Sequence, residues 1–322
     1  MPVCGEDLLQ RANNILLHQR NTGGWPSNYD RDAKLSETQR KQLQLDKAKN
    51  DSTIDNGATH REIRILAKSY HRIGNQQFRD AAVTGIKYLL QAQYDNGGWP
   101  QRFPRPSSYH QHITYNDDAM IGVMNLFHDI VQGSDDLKFV SGDIRRQCDQ
   151  ALQRGLQCIL KTQIRVDGRL TAWCAQHDAK TLAPAKARSY ELPSISGNES
   201  VGIVRYLMKI EDPNNDVVAA IDSAVVWFES AQLKGLRQVK VEAPAAPNGR
   251  DIKVIPDPTA PPLWARFYDL QTQQPIFCSR DGIPKKTIAE ISHERRNGYS
   301  WLGTYAAELL LKHYPQWKKN RG

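Results

Sequence analysis

The sequence predicts an all-α protein in which paired helices repeat along one chain. Apolar residues recur at helical spacing, no long stretch alternates with the period of a β-strand, and a similar aromatic turn follows three predicted helices. With 322 residues, 39% of them hydrophobic, the chain is long enough for a large domain with a substantial core. We therefore expect a single domain over residues 1–322.

Four apolar stripes mark the clearest helices, because their members recur at intervals of three and four residues. Further helices are expected near 6–19, 77–93, 116–131 and 199–210, with a stop signal at Gly74-Asn75 between two of the helices. The stripes run through Ile63, Leu66, Ala67 and Tyr70; through Cys148, Leu152, Gly155, Leu156 and Ile159; through Val217, Ile221, Ala224, Val225 and Phe228; and through Leu302, Tyr305, Ala306 and Leu309.

A turn that contains glycine and tryptophan repeats along the chain. Gly23-Gly24-Trp25-Pro26 follows one predicted helix, Gly97-Gly98-Trp99-Pro100 follows a second, and Asp167-Gly168 with Trp173 follows a third. The spacing fits two helices and two loops per unit, and helix pairs repeated in this way curve into a toroid or solenoid. A helix stop capped by an aromatic side chain explains the turn equally well, and both explanations agree with the fold class.

Residues 235–262 differ in sequence pattern from the rest of the chain. Prolines at 244 and 247 and from 256 to 262 interrupt the helical period, and a helical pattern resumes at 298. We expect a long irregular loop in this segment, and long ordered loops within compact domains are often functional.

The net charge favours a polyanionic partner. The chain carries 43 basic and 35 acidic residues, a formal charge of +8. No recognition helix, zinc-finger spacing or aromatic RNA-binding segment is recognisable, which favours an acidic polysaccharide over nucleic acid. No apolar run is long enough to span a membrane, so no membrane partner is expected.

The cysteines at 4, 148, 158, 174 and 278 predict neither a disulfide framework nor a metal cluster on sulfur. Their number is odd and no CxxC pair occurs. Cys148 falls on an apolar stripe, so we expect it to be a buried small hydrophobe.

Polar segments between the helices contain the candidate functional residues. Asp55, Asp117 and Asp118 are candidates for a cation site, since carboxylate oxygens suit a hard ion such as calcium. The alternative remains open, because Asp55 precedes Asn56-Gly57 in a turn-like segment and the other two open a predicted helix.

Arg188, Arg266 and Arg280 are candidates for anion binding, because the planar guanidinium matches a carboxylate. Arg266 has aromatic neighbours, which predict partial burial and therefore a partner. Surface salt bridges are the alternative for all three, and Arg280 also fits a turn with Asp281. His177 is most simply a structural histidine, and no nucleophile elbow, zinc-binding or phosphate-binding motif occurs.

Taken together, the polar segments resemble polysaccharide lyase family 10, the helical pectate lyases. Any one of these motifs is weak, but they occur in the family's order along nearly the whole chain. They are the segments 21–26, 53–59, 115–117, 173–177, 186–192, 196–200, 264–270, 279–282 and 294–301.

The resemblance implies an incomplete α/α toroid with irregular loops forming a substrate cleft, and calcium-dependent β-elimination of polygalacturonate. Asp55 and Asp117 would help to hold Ca²⁺, Arg266 would be the base, and Arg188 and Arg280 would bind uronate carboxylates. The family's members are usually exported, so a secreted or periplasmic location is expected, although Met1–Glu6 lacks the features of a signal peptide. We expect a monomer.

Two other functions compete with this hypothesis. An α/α-toroid glycoside hydrolase would use Asp55 and Asp117 as its two carboxylates and would need no calcium. A non-catalytic uronate-binding protein would use the same arginines and aromatic residues without turnover.

Overall fold

The computed structural model describes residues 5–321. The chain divides into two compact units, the first ending at Cys158 and the second beginning at Ile159. Helices dominate the regular structure, as predicted, and most strands are two residues long. None of the described helices combines the length and apolar character that crossing a bilayer requires. A single domain over 1–322 stays a prediction.

Helices and strands are numbered in chain order. The described α-helices are α1 (Gly5–His18), α2 (Glu37–Asp46), α3 (His60–Ile73), α4 (Gln76–Ala92), α5 (Ala119–Val131), α6 (Gly142–Thr162), α7 (Glu199–Leu207), α8 (Asn215–Ser230), α9 (His293–Gly298) and α10 (Tyr314–Lys319). The strands are β1 (Ile113–Thr114), β2 (Arg165–Val166), β3 (Arg169–Leu170), β4 (Gln176–His177), β5 (Ile195–Ser196), β6 (Leu236–Glu242), β7 (Arg250–Pro256), β8 (Trp264–Ala265), β9 (Phe267–Tyr268), β10 (Phe277–Cys278), β11 (Pro284–Lys285) and β12 (Leu302–Gly303).

Helix α3 lies at the centre of the first unit, where it packs against α1, α4 and α5. Ile63 and Leu66 of its predicted stripe are fully buried. The predicted stop between α3 and α4 is confirmed. Gly74 ends α3 in the left-handed conformation, with φ 77°, and the Asn75 side chain caps α4 by accepting a hydrogen bond from the Gln77 N–H (3.0 Å).

The internal repeat is visible in the hydrogen bonds that follow the helix ends. Each turn tryptophan is fully buried and donates its indole N–H to a carbonyl of the preceding helix. A glutamine just before each turn donates to the turn and to a later helix, which is α4, α6 or α8. The indole bonds are Trp25 to Ile15, Trp99 to Leu89 and Trp173 to Ile159, each 2.8 Å. The glutamine bonds join Gln19 to Ala81 (3.0 Å), Gln93 to Ala151 (2.9 Å) and Gln163 to Ala220 (2.9 Å).

These bonds explain why the aromatic turns repeat. The tryptophans bind carbonyls in the last four residues of a helix, where partners within the helix run out and a buried carbonyl needs another donor. The glutamines bind carbonyls within a later helix. The tryptophan and the glutamine bind carbonyls of two different helices and so tie the helices together. The turn is therefore a repeated structural unit as well as a helix stop.

Helices α7 and α8 pack against each other in the second unit, beside short antiparallel strand pairs. Strand β5 pairs with β9, and β8 pairs with β12. Cys148 is buried, as predicted, and the other described cysteines, at 158, 174 and 278, are also buried. Cys4 lies outside the described residues.

The prediction of an irregular loop over 235–262 is wrong for half of this segment. Strands β6 and β7 form a seven-residue antiparallel ladder with Val239 opposite Lys253. Prolines 244 and 247 lie in the connection between the strands rather than within them, so they do not interrupt pairing. The alternating sequence Val239-Lys240-Val241 carried the strand signal.

The fourth predicted stripe is also wrong in part. Leu302 belongs to β12, where it pairs with Ala265 of β8, and helical structure begins only after Tyr305. A π-helical turn, Leu309–His313, then leads into α10. Helix α2 was not predicted either, because it buries none of its residues and therefore has no apolar stripe.

A substitution at Gly97 tests how closely the repeated turn is packed. The φ of Gly97 is 92°, and a methyl group there would overlap the Arg154 carbonyl. We expect Gly97→Ala to lower the free energy of unfolding by about 3 kcal/mol, from overpacking plus left-handed strain. Urea denaturation measures the loss.

Gly168→Ala is the matched control, because Gly168 has φ 75° and open space around it. We expect that substitution to cost only about 1 kcal/mol. Equal losses for the two variants would contradict the proposed packing role of Gly97.

Candidate active site

The two predicted cation ligands lie on adjoining turns of the first unit. Asp55 is the first residue of the 3-10 turn Asp55–Gly57, and Asp117 lies within the turn Asn116–Asp118. The two turns contact each other. Asn56 and Asp117 have positive φ angles of 51° and 50°, so the backbone reverses sharply at both places. Neither aspartate is the N-cap of the following helix, a position that Thr59 and Asp118 occupy.

One oxygen of Asp55 has the environment expected of a cation ligand. Its Oδ1 is buried, and no hydrogen-bond partner reaches it from residues 5–321. Its Oδ2 accepts a hydrogen bond from the Asn56 amide (3.4 Å), and Asp117 Oδ2 accepts one from the Asn116 amide (2.8 Å). A buried oxygen without a donor is costly unless a cation or another donor binds it.

The described residues contain no cluster of the side chains that most often bind metals. Within 5–321, no group of three or more His, Cys, Asp or Glu side chains is arranged to hold a metal ion. Calcium takes about six to eight oxygen ligands. Two carboxylates on adjoining turns would by themselves fill only part of such a coordination shell.

Arg266 is fixed by the short strands on either side of it. Its N–H donates to the Trp301 carbonyl (2.7 Å), and its carbonyl accepts from the Gly197 N–H (2.9 Å). Strands β8 and β9 flank it and pair with different partners, β12 and β5. The chain therefore holds this backbone from both sides, and the side chain starts from a defined position.

The Arg266 side chain is buried and paired, as its aromatic neighbours predicted. The residue is 7% exposed, and its guanidinium forms an ion pair with Glu199, which is 2% exposed. The guanidinium carbon lies 4.8 Å from the centre of the Tyr299 ring. The identity of the carboxylate partner was not predicted, because Glu199 lies 67 residues away in the chain.

Arg188 is half-buried and also paired with a glutamate. Its Nε donates to Glu191 Oε2 (2.7 Å), and its guanidinium carbon lies 5.0 Å from the centre of the Tyr190 ring. The Tyr299 hydroxyl donates to the other oxygen of Glu191 (2.7 Å). The hydrogen bond to Glu191 raises the pKa of Arg188 above its ordinary value. Burial is the largest single influence on Glu191 and raises its pKa, but the hydrogen bonds and charge of Arg188 and the hydrogen bond from Tyr299 together outweigh burial, so the pKa of Glu191 is lowered.

Arg280 and Arg295 share one exposed carboxylate. Glu294 accepts hydrogen bonds from Arg280 Nη2 (3.0 Å) and Arg295 Nε (2.7 Å), and these bonds lower the pKa of Glu294 to about 2. The guanidinium carbons of Arg280 and Arg295 lie 5.8 and 4.5 Å from the centre of the Tyr190 ring. Arg295 was not a predicted site residue. It lies in segment 294–301, one of the segments on which the family resemblance rests, and that was the signal for it.

The second unit thus brings together all three predicted arginines and a fourth. We refer to Arg188, Arg266, Arg280 and Arg295 as the arginine cluster. Tyr190 and Tyr299 join them, since each ring contacts more than one guanidinium. Guanidiniums on aromatic faces keep donors available for planar anions. The cluster is therefore suited to binding carboxylates.

His177 is structural, as expected. The residue is fully buried; its Nε2 accepts a hydrogen bond from the Cys174 N–H (3.1 Å), and its Nδ1 lies 2.9 Å from the Leu182 carbonyl. Arg280-Asp281-Gly282 does form a turn, in which Asp281 Oδ1 accepts from the Ile283 N–H (3.0 Å). The ion pair of Arg280 is made with Glu294 instead.

A sequence model described as "Pectic acid lyase" matches residues 19–310. The chain belongs to the pectic acid lyase family. Two solved structures of the family 10 polysaccharide lyase from Cellvibrio cellulosa resemble it. One is an aspartate-to-alanine mutant in complex with trigalacturonic acid, with 34% identity, a TM-score of 0.82, and coverage of 95% of this chain and 91% of that one. The other has 33% identity, a TM-score of 0.82, and coverage of 95% and 90%. No curated protein matches the chain.

Membership of the family confirms the resemblance drawn from the sequence motifs. The individual roles of Asp55, Asp117, Arg188, Arg266 and Arg280 stay predictions.

Tyr299 tests how the cluster is held together. Tyr299→Phe keeps the ring beside Arg266 and removes the hydrogen bond to Glu191, so we expect a loss of about 1–3 kcal/mol in the free energy of unfolding. Tyr299→Ala removes the ring as well and should cost about 3–5 kcal/mol. Urea denaturation of both variants measures the difference. Equal losses would mean that the ring contributes nothing.

Proposed function

We propose that the protein is a pectate lyase that cleaves α-1,4-linked polygalacturonate by calcium-assisted β-elimination. The products would be 4,5-unsaturated oligogalacturonides. Membership of the pectic acid lyase family supports this proposal, and so does the trigalacturonic acid bound by the similar lyase. The observation that carries it in this chain is the arginine cluster, because a substrate with a carboxylate on every sugar needs several cationic donors.

The arginine cluster would bind the substrate carboxylates and stabilise the charge that develops during elimination. The proton on C5 is poorly acidic because the adjacent carboxylate is negative. Guanidinium donors beside that carboxylate reduce the charge and favour the enolate-like transition state. Arg188 and Arg280 are the proposed donors. Both are more exposed than Arg266, and Arg280 is paired with a carboxylate that is itself exposed.

Arg266 is the proposed base. As a neutral guanidine it would take the C5 proton, and the electrons of the C5–H bond would form the C4–C5 double bond. The bond from C4 to the bridging oxygen breaks, and this oxygen keeps the electron pair and takes a proton from solvent. The product is therefore one water lighter than a hydrolysis product.

A neutral arginine is uncommon, and the pair with Glu199 favours the charged form. Burial opposes the charge, and nearby guanidiniums repel it. Because the neutral base is needed, the rate should rise into the alkaline range.

Asp55 and Asp117 are the residues that would hold calcium, and the buried Asp55 Oδ1 fits this role. Bound calcium would neutralise part of the uronate carboxylate charge. The incomplete toroid, the monomeric state and the secreted or periplasmic location also stay proposals. Polygalacturonate is the proposed partner.

The proposed function is tested by mixing the protein with polygalacturonate at alkaline pH and following ultraviolet absorbance. A rise that requires calcium and stops with EDTA is expected from unsaturated uronides. New reducing ends without absorbance would indicate a hydrolase, and no change in either would mean that the protein binds without cleaving or has another substrate. An optimum near pH 5 would contradict an arginine base.

Arg266→Lys should reduce kcat about a thousandfold while the fold is kept, because general-base catalysis contributes about 100- to 10,000-fold. Arg188→Lys is the matched variant, since it also removes one planar guanidinium beside Tyr299 and should mainly raise KM. Steady-state kinetics on polygalacturonate measures both. The opposite pattern would exchange the two roles.

Asp55→Asn should weaken calcium activation about tenfold or more, because it removes the charge beside the buried oxygen. Asp149→Asn, which changes an exposed aspartate of α6, is the control. The calcium concentration for half-maximal activity measures the effect. Unchanged activation in Asp55→Asn would show that Asp55 is not a ligand.

A further inference from the structure

Glu199 is a buried carboxylate that the proposed mechanism does not use. It is the first residue of α7, where the helix dipole favours negative charge. The Ser196 hydroxyl donates to its Oε2, and the Asn198 amide donates to Oε1 (3.2 Å). Its backbone N–H in turn donates to Ser196 Oγ (3.1 Å). The carboxylate therefore has a fixed position and both of its oxygens are bound.

Glu199 also binds Arg266, which is one of the two almost fully buried arginines of the cluster. Oε1 accepts from Arg266 Nη2, and both side chains are almost fully buried. A buried ion pair adds little net stability compared with apolar packing, but it fixes geometry and charge in a low-dielectric surrounding. Because the pair adds little net stability, a contribution to the stability of the fold does not explain why Glu199 is paired with the proposed base.

We infer that Glu199 is a positioning residue, which holds the Arg266 guanidinium in place and sets the pH range in which the site works. This inference rests on the proposed function. Glu199 does not take the substrate proton; it acts through Arg266, whose orientation and charge it controls.

The other titratable groups that interact with this pair change charge either below the ordinary pKa of a glutamate or above the ordinary pKa of a thiol or a phenol. They are Tyr299, Tyr305 and Cys174, together with Glu191 through its bond to Tyr299. Burial raises the pKa of Tyr305 to about 12 and raises the pKa values of Tyr299 and Cys174 above their ordinary values. Glu191 stays ionised because its pKa is lowered. A change in the pH profile on mutating Glu199 therefore reports on the pair itself.

Two variants separate the effect of the charge of Glu199 from the effect of its side-chain length. Glu199→Gln keeps an acceptor at the same distance but removes the charge, so the rising limb of kcat against pH should move at least about one unit lower. Glu199→Asp keeps the charge and withdraws the carboxylate by one methylene, so kcat should fall about tenfold with the limb unmoved. Glu211→Gln, which changes an exposed glutamate of the same unit, should match the wild type.

Ser196→Ala gives a milder disturbance if Glu199→Gln does not fold. It removes one donor to Glu199 and leaves both charges, so kcat should fall about threefold or more without loss of structure. Folded Glu199 and Ser196 variants with the wild-type kcat and pH profile would overturn the inference.

The pairing of Glu199 with Arg266 can also be tested without an activity assay. The urea concentration at the midpoint of unfolding is measured for Glu199→Gln, for Arg266→Met and for the double variant. The double variant should be at least as stable as the less stable of the two single variants, because both substitutions remove the same contact. Additive losses would overturn the inference and leave the proposed function intact. A wild-type protein that forms no unsaturated product would instead overturn the proposed function and the catalytic part of the inference.

Discussion

A buried or half-buried guanidinium needs a carboxylate, and this requirement organises the candidate active site of the second unit. Glutamates pair with each member of the arginine cluster, while two tyrosine rings supply the flat surfaces between the guanidiniums. Without these partners the cationic groups would repel one another, and the buried Arg266 and Arg295 would be desolvated without compensation. The pairing leaves four arginines close enough to act on one anionic substrate. The glutamates are Glu191, Glu199 and Glu294.

The pairs differ in how easily a substrate carboxylate can replace the protein's own. Glu294 is exposed, so its pair with Arg280 is weak and exchange costs little. Glu199 is buried with all its partners in place, and breaking its pair with Arg266 would leave an uncompensated charge. The structure therefore separates arginines that can exchange partners during binding from one that stays fixed. This division agrees with a clamp-and-base arrangement for β-elimination.

Local periodicity predicted most of the helices, including their stop at Gly74, and the aromatic turns predicted the repeat. The hairpin of β6 and β7 was missed because the prolines beside the strands obscured the alternation within them. Leu302 was assigned to a helix because its spacing from Tyr305 is compatible with one, and only its pairing with Ala265 shows otherwise. The need of Arg266 for a partner was predictable, but Glu199 was not. Partners far apart in the chain depend on tertiary packing, which one sequence does not reveal.

The central claim is that the site breaks its substrate by elimination rather than by adding water. Mass spectrometry of the fragments from a defined oligogalacturonide tests it directly. Elimination predicts that the masses of the two fragments add up to the mass of the substrate, with the unsaturated fragment one water lighter than the saturated sugar of the same length. Fragments whose combined mass exceeds the substrate by one water would contradict the account and assign the protein to hydrolysis.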